Sequence, residues 1–170
     1  MNSWPDATVL AGVRTYLHRS WSLRGLLLAA AFFAGISFLA PAARASERWA
    51  TLEAIHQLEN PTNSTRVGPH GELGAYQFRR ETWAMYTQTP FHWALDRQVS
   101  DQVAVLHYEW LKEQLARNGI SPTPYHIALA WNCGIGAVLR ARPPSAAVSY
   151  AQRAANLAAT YNGAALADAR

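Results

Sequence analysis

LDRQVSDQVAVLHYEWLKEQLARN, Leu95 to Asn118, is the strongest helical segment of the chain. Val99, Val103, Leu106 and Trp110 fall at steps of four, three and four, the spacing that lines one face of a helix with about 3.6 residues per turn. Asn118-Gly119 closes the segment in the manner of a glycine C′ cap. The pattern predicts a central core helix. Working outward, Ser46 is an N-cap with Trp49 and Leu52 behind it, and the helix it opens runs to Asn60. Pro61 stops it, because the residue before a proline avoids the α region. The polar stretch PTNSTRVGPHGELGAY (61–76) reads as a long loop or a small hairpin, since Gly68, Pro69, Gly71 and Gly74 preclude a continuous helix. A further helix is expected from Gln77 to Tyr86, with Pro90 as its break. Ser121 or Thr123 caps the next, through Trp131, with Pro122 or Pro124 tolerated in its first turn. Gly134 and Gly136 call for a tight turn, and Ser145 caps an alanine-rich last helix ending near Tyr161-Asn162-Gly163. Strand alternation is scarce. The expected class is therefore mainly α, a compact helical domain with at most a small β-hairpin.

With 170 residues, half of them apolar and 15% charged, the chain is about one domain in size and too hydrophobic for intrinsic disorder. Its net charge of +4 is concentrated early: Arg14, Arg19, Arg24 and Arg44 face only Asp6. Beyond residue 45, 11 basic residues face 10 acidic ones, so a nucleic-acid partner lacks its electrostatic footprint. After Arg24 comes the apolar run GLLLAAAFFAGISFLA, then Ala43-Arg44-Ala45, a small-x-small pattern for cleavage before Ser46. Residues 1–45 are read as a secretory signal and 46–170 as one exported domain. The alternative is an uncleaved inner-membrane anchor, for which the run is short against a span of about twenty residues. The expected location is the periplasm. Cys133, the single cysteine, excludes an intramolecular disulfide and a CxxC zinc site. His70, His92, His107 and His126 lack HExxH-type spacing, so neither metal nor other cofactor is expected.

Glu59 is the residue out of place. At about 100° per residue it projects within roughly 20° of Leu52 and 40° of Ile55, on the stripe that the first helix buries. A carboxyl buried without a cation keeps its proton to higher pH and can then serve as a general acid. Periodicity alone leaves a second reading open, in which Glu59 frays outward at the helix end or pairs with Arg66.

Glu59 is followed by Gly68-Pro69-His70-Gly71-Glu72-Leu73-Gly74-Ala75-Tyr76-Gln77 and, after the core helix, by Ala128-Leu129-Ala130-Trp131-Asn132-Cys133-Gly134-Ile135-Gly136-Ala137-Val138. This arrangement resembles the lysozyme-like superfamily, in its soluble lytic transglycosylase and goose-type lysozyme branch. There a catalytic Glu precedes Ser, a loop ends in Gly-Leu-Met-Gln, and a Tyr-Asn-Ala-Gly-x-Gly-Ala-Val element follows. Ser149-Tyr150-Ala151 is a weaker echo of a third element, Glu-Thr-x-x-Tyr-Val. The resemblance covers about residues 48–161. Asn60 departs from the usual Ser, Ala75-Tyr76 from Leu-Met, and Trp131 and Cys133 from Tyr and Ala, while Ala146-Ala147 stand where Glu-Thr is absent.

The resemblance implies a lysozyme-like groove for a peptidoglycan glycan strand, with Glu59 protonating the oxygen between N-acetylmuramic acid and N-acetylglucosamine. As a carboxylate, Glu59 then activates the muramic 6-hydroxyl, giving a 1,6-anhydro end without a second carboxylate. It also implies substrate-side roles for Gly74, Tyr76, Gln77, Trp131, Asn132 and Tyr150. Gly74 answers equally to a close backbone approach, a positive φ or an ordinary turn. Tyr76 is either an aromatic wall for sugar or a core residue, and Asn132 orients substrate, caps a helix, or both. Trp131 replaces a hydroxyl with an indole that only donates, and Tyr150 could supply what is lost. Glu72 is the alternative carboxylate, needed only by a two-carboxylate hydrolase. His56 shares a side with Glu59 and either tunes it or simply packs. A Cys133–His126 nucleophilic pair lacks a third orienting group, so an inert buried thiol is the expectation. The competing functions are a muramidase and a non-catalytic glycan-binding module of a cell-envelope or secretion assembly. The expected partners are glycan strands and such envelope proteins, with membrane contact only through an uncleaved leader.

Overall fold

The first helix, α1 (47–59), buries Leu52 and Ile55 in the main core and Ala50 and Ala54 in a second cluster, and ends at Asn60, as Pro61 requires. The computed structural model describes residues 47–168; the expected leader 1–45 and the Ser46 cap lie outside them. The remaining elements are α2 (Arg80–Ala84), a 3₁₀ helix (Phe91–Leu95), α3 (Arg97–Arg117), α4 (Pro124–Cys133), α5 (Ile135–Leu139) and α6 (Ser145–Asp168). The protein is mainly α: among the described residues the β structure is a single antiparallel bridge, Leu73 to Phe78. None of the described helices is long and apolar enough to cross a membrane.

The polar stretch 61–76 is a loop, and the helix expected from Gln77 starts only at Arg80. Gln77 has φ +47°, left-handed backbone that a right-handed helix cannot contain. Asp96 caps α3 by accepting from the Val99 N–H at 2.9 Å, so the 3₁₀ turn before it is a separate element.

The stripe read on α3 is also corrected. Its buried residues are Ser100, Val103, Ala104, His107, Tyr108, Leu111 and Leu115, while Leu106 is 49% exposed. The inward face is rotated by about one residue, roughly 100°, from the aliphatic one, because two aromatic rings, His107 and Tyr108, take the core positions.

Thr123 is the cap of α4, accepting from the His126 N–H, and Pro124 occupies the first turn. Gly134, at φ +79°, ends α4, whereas Gly136 lies inside α5 instead of making a turn. α6 continues past Gly163 to Asp168, beyond the expected end. Its buried face is Ala147, Tyr150, Ala151, Ala154 and Ala158. Side chains this small let α6 lie close along α4 and let Ala158 meet Ala50 and Ala54 of α1. At the other end of the core a set of rings, Tyr76, Phe78, Trp83, Phe91 and Trp131, packs edge to face or tilted.

Candidate active site around Glu59

A pocket of about 540 Å³ opens where the end of α1, the 68–79 loop, α3 and the end of α4 converge. Glu59, Glu72, Gln77, Trp131 and Asn132 line it, together with Phe78, Arg79 and His107.

Glu59 does not fray outward. Its Oε1 accepts a 2.7 Å hydrogen bond from the Tyr150 hydroxyl, across 91 residues of sequence. Burial pushes its carboxyl above the usual range, the Tyr150 hydroxyl pulls the other way, and negative Glu72 adds to the rise. Tyr150 is itself buried, and burial beside the carboxylate raises its phenol far out of reach of ionisation. The hydroxyl is thus a permanent donor to Glu59.

Glu72 is the opposite case. Burial opposes its ionisation, but the backbone N–H of His70, at 2.8 Å, its own backbone amide and the Arg79 guanidinium at 3.5 Å keep it below the ordinary value. Two carboxyls on one pocket are thereby pushed apart, one towards the acid form and one towards the anion.

The loop that carries these groups is pinned from α1. Asn60, buried next to Glu59, donates to the carbonyls of Ser64 (2.9 Å) and Gly74 (3.1 Å) and accepts from the Ser64 N–H (2.8 Å). Gln77 lines the pocket and donates to the same Gly74 carbonyl at 2.9 Å. Gly74 is buried with φ +77°, and a Cβ there would collide with the Ala94 carbonyl oxygen. The close approach that requires glycine is therefore to the 3₁₀ helix, which places Gly74 behind the site instead of against a ligand. Gly68 sits under the site: a Cβ on it would stand 2.5 Å from Glu72 Oε2 and 2.8 Å from the Gln77 carboxamide oxygen.

Tyr76 is not a wall of the pocket. It is 2% exposed, donates to Asp101 Oδ1 at 2.6 Å, and packs at a tilt against the rings of His56, Phe78 and Trp131. Its role as a sugar contact is replaced by one in the core. His56 likewise packs: it is buried and meets Glu53, Asn63 and Arg97, not Glu59. Trp131 is half-buried on the pocket and Asn132 is exposed at its rim. Cys133 donates to the Leu129 carbonyl while His126 is engaged by Thr123, so no Cys–His pair forms, and burial raises the thiol. Among the described residues no group of three or more His, Cys, Asp or Glu is placed to hold a metal ion.

His107 and Asn60 are the site residues that sequence reasoning missed. His107 lies on α3, whose inward face the sequence pattern assigns from Val99, Val103, Leu106 and Trp110, and Asn60 reads as a helix end. Burial drives the His107 imidazole down to about 4, so it is neutral near pH 7.

Comparison with known proteins gives no match to any family, to any curated sequence or to any solved structure.

Proposed function

We propose that this chain is an exported peptidoglycan lytic transglycosylase that cleaves the β-1,4 bond between N-acetylmuramic acid and N-acetylglucosamine. The observation that carries the reading is the Glu59 carboxyl, shielded by burial on a pocket wall and held by the Tyr150 hydroxyl. A carboxyl so placed donates its proton to the glycosidic oxygen as the C1–O bond breaks. Tyr150 then steadies the carboxylate produced. The carboxylate takes the proton of the muramic 6-hydroxyl as O6 bonds to C1, which closes the 1,6-anhydro ring, restores the acid and consumes no water. No cofactor enters. The partner is the glycan strand of the cell wall, reached in the periplasm through the leader.

A second reading, a muramidase, is favoured by Glu72, a carboxylate held ionised on the same pocket and suited to activating water. Digestion of purified murein followed by mass spectrometry separates the two: anhydromuramoyl ends mark the first and reducing ends the second. Glu59→Gln abolishes turnover in both, and Glu72→Gln does so only in the hydrolase. Murein retained without any turnover would mark a binding module and sink both readings, as would full activity in Glu59→Gln.

A further inference from the structure

His107 is 9% exposed and lines the pocket that Glu59 faces. Its Nδ1 lies 2.9 Å from the Tyr86 hydroxyl, and Nε2 makes no hydrogen bond within the protein. Ser100 Oγ is the one fully buried side-chain nitrogen or oxygen without a partner among the described residues, so Nε2 keeps access to solvent, and the pocket is the cavity beside it. Burial keeps the imidazole uncharged and pushes the Tyr86 phenol up to about 12, so the phenol keeps its proton and can donate it to Nδ1. With Nδ1 accepting, the ring proton resides on Nε2. Two rings stand beside it on a pocket lined otherwise largely by polar groups: the Trp131 ring lies 4.7 Å from the imidazole, and the Phe78 ring 5.6 Å from Trp131. One N–H donor beside the half-buried Trp131 ring fits a small amide whose carbonyl accepts while its methyl lies against that ring.

We propose that His107 is a specificity-determining residue that donates from Nε2 to the acetamido carbonyl of an N-acetylhexosamine bound beside Glu59. The inference rests on the glycan-cleaving reading of the site and adds to it a demand for N-acetylated sugar. Trp110, stacked on the imidazole with ring centroids 6.0 Å apart, helps fix the ring plane, so the donor is aimed before the sugar arrives.

The test uses the full chain. On murein the wild type has a KM about tenfold lower than on the same murein after de-N-acetylation, the worth of one neutral hydrogen bond. His107→Phe keeps the ring and its stacking, raises KM about tenfold on the acetylated polymer with kcat little changed, and erases the preference. His107→Gln, which retains an N–H donor, restores part of it. In the Glu59→Gln protein, ¹⁵N NMR shows His107 protonated on Nε2, and that nitrogen shifts on adding the N-acetylglucosamine tetramer. An Nδ1-protonated ring, no shift with the tetramer, or an equal preference in wild type and His107→Phe overturns the inference while leaving the cleavage reading intact. A shift with the tetramer in a protein that cuts no murein upholds the inference and removes the enzyme reading.

Discussion

Tyr150→Phe is the sharpest test of how Glu59 works. The substitution deletes one oxygen and keeps the ring, which is 6% exposed on the alanine face of α6, so the packing of that helix is retained. What is lost is the 2.7 Å bond to Glu59 Oε1. A hydrogen bond to a charged group is worth about 1.5 to 3 kcal/mol. It serves the carboxylate that appears as the proton leaves, so its loss is felt in the transition state more than in the resting acid. At about 1.4 kcal/mol per tenfold, kcat on murein falls about 10- to 100-fold with KM little changed. The same deletion removes the influence that lowers the Glu59 carboxyl and leaves burial and Glu72, both of which raise it. The alkaline limb of kcat/KM, which reports loss of the proton from the free enzyme, therefore moves to higher pH. Turnover of murein followed by reducing-end and anhydro-end analysis across pH provides both readouts. An unchanged kcat together with an unmoved limb would refute the reasoning, because Tyr150 would then be packing and nothing more.

Three further outcomes follow from the same physical chemistry. Because the folded protein holds the Glu59 proton more tightly than the unfolded chain, the contribution of Glu59 to stability is fully present below the ordinary value of 4.5 and is lost as pH rises through the raised folded value; Glu59→Gln is therefore more stable than wild type in urea at pH 8 and gains nothing at pH 4. His107 acts in the other direction: lowered from 6.5 to about 4, it removes up to about 3 kcal/mol of stability as pH falls through that window, so the urea midpoint of His107→Gln declines less between pH 6.5 and 4.5 than that of wild type. Gly74→Ala forces a Cβ towards the Ala94 carbonyl at a positive φ and lowers stability by about 2 to 4 kcal/mol, and an unaltered urea midpoint would contradict the placement of the loop.

The sequence was most legible where a single local rule decides the structure. Pro61 ends α1, Thr123 with Pro124 starts α4, and Gly134 stops it. The 100° step put Glu59 on the inward stripe but left a frayed or Arg66-paired side chain open, and the downstream motif spacing is what singled it out. It was least legible where a tertiary contact outweighs a local preference. Leu106 is more apolar than His107, yet His107 takes the inward position because Tyr86, Trp110 and Trp131 surround it and give its ring both a hydrogen bond and stacking. Gly163 costs a helix interior only about 1 kcal/mol, too little to end α6. Tyr76 left two readings open until Asp101, on another helix, supplied the partner for its hydroxyl. Asn60 was unreadable because its partners, Ser64 and Gly74, are joined only by the path of the loop.

The acid and its supporting hydroxyl come from the first and last of the described helices, 91 positions apart. A nascent or clipped polypeptide without α6 would possess the glutamate but not the donor that makes its ionisation tolerable. Under the proposed function, glycan-cleaving power would then arise late, with the docking of the final helix, and proteolysis within α6 would be an efficient way to disarm the molecule.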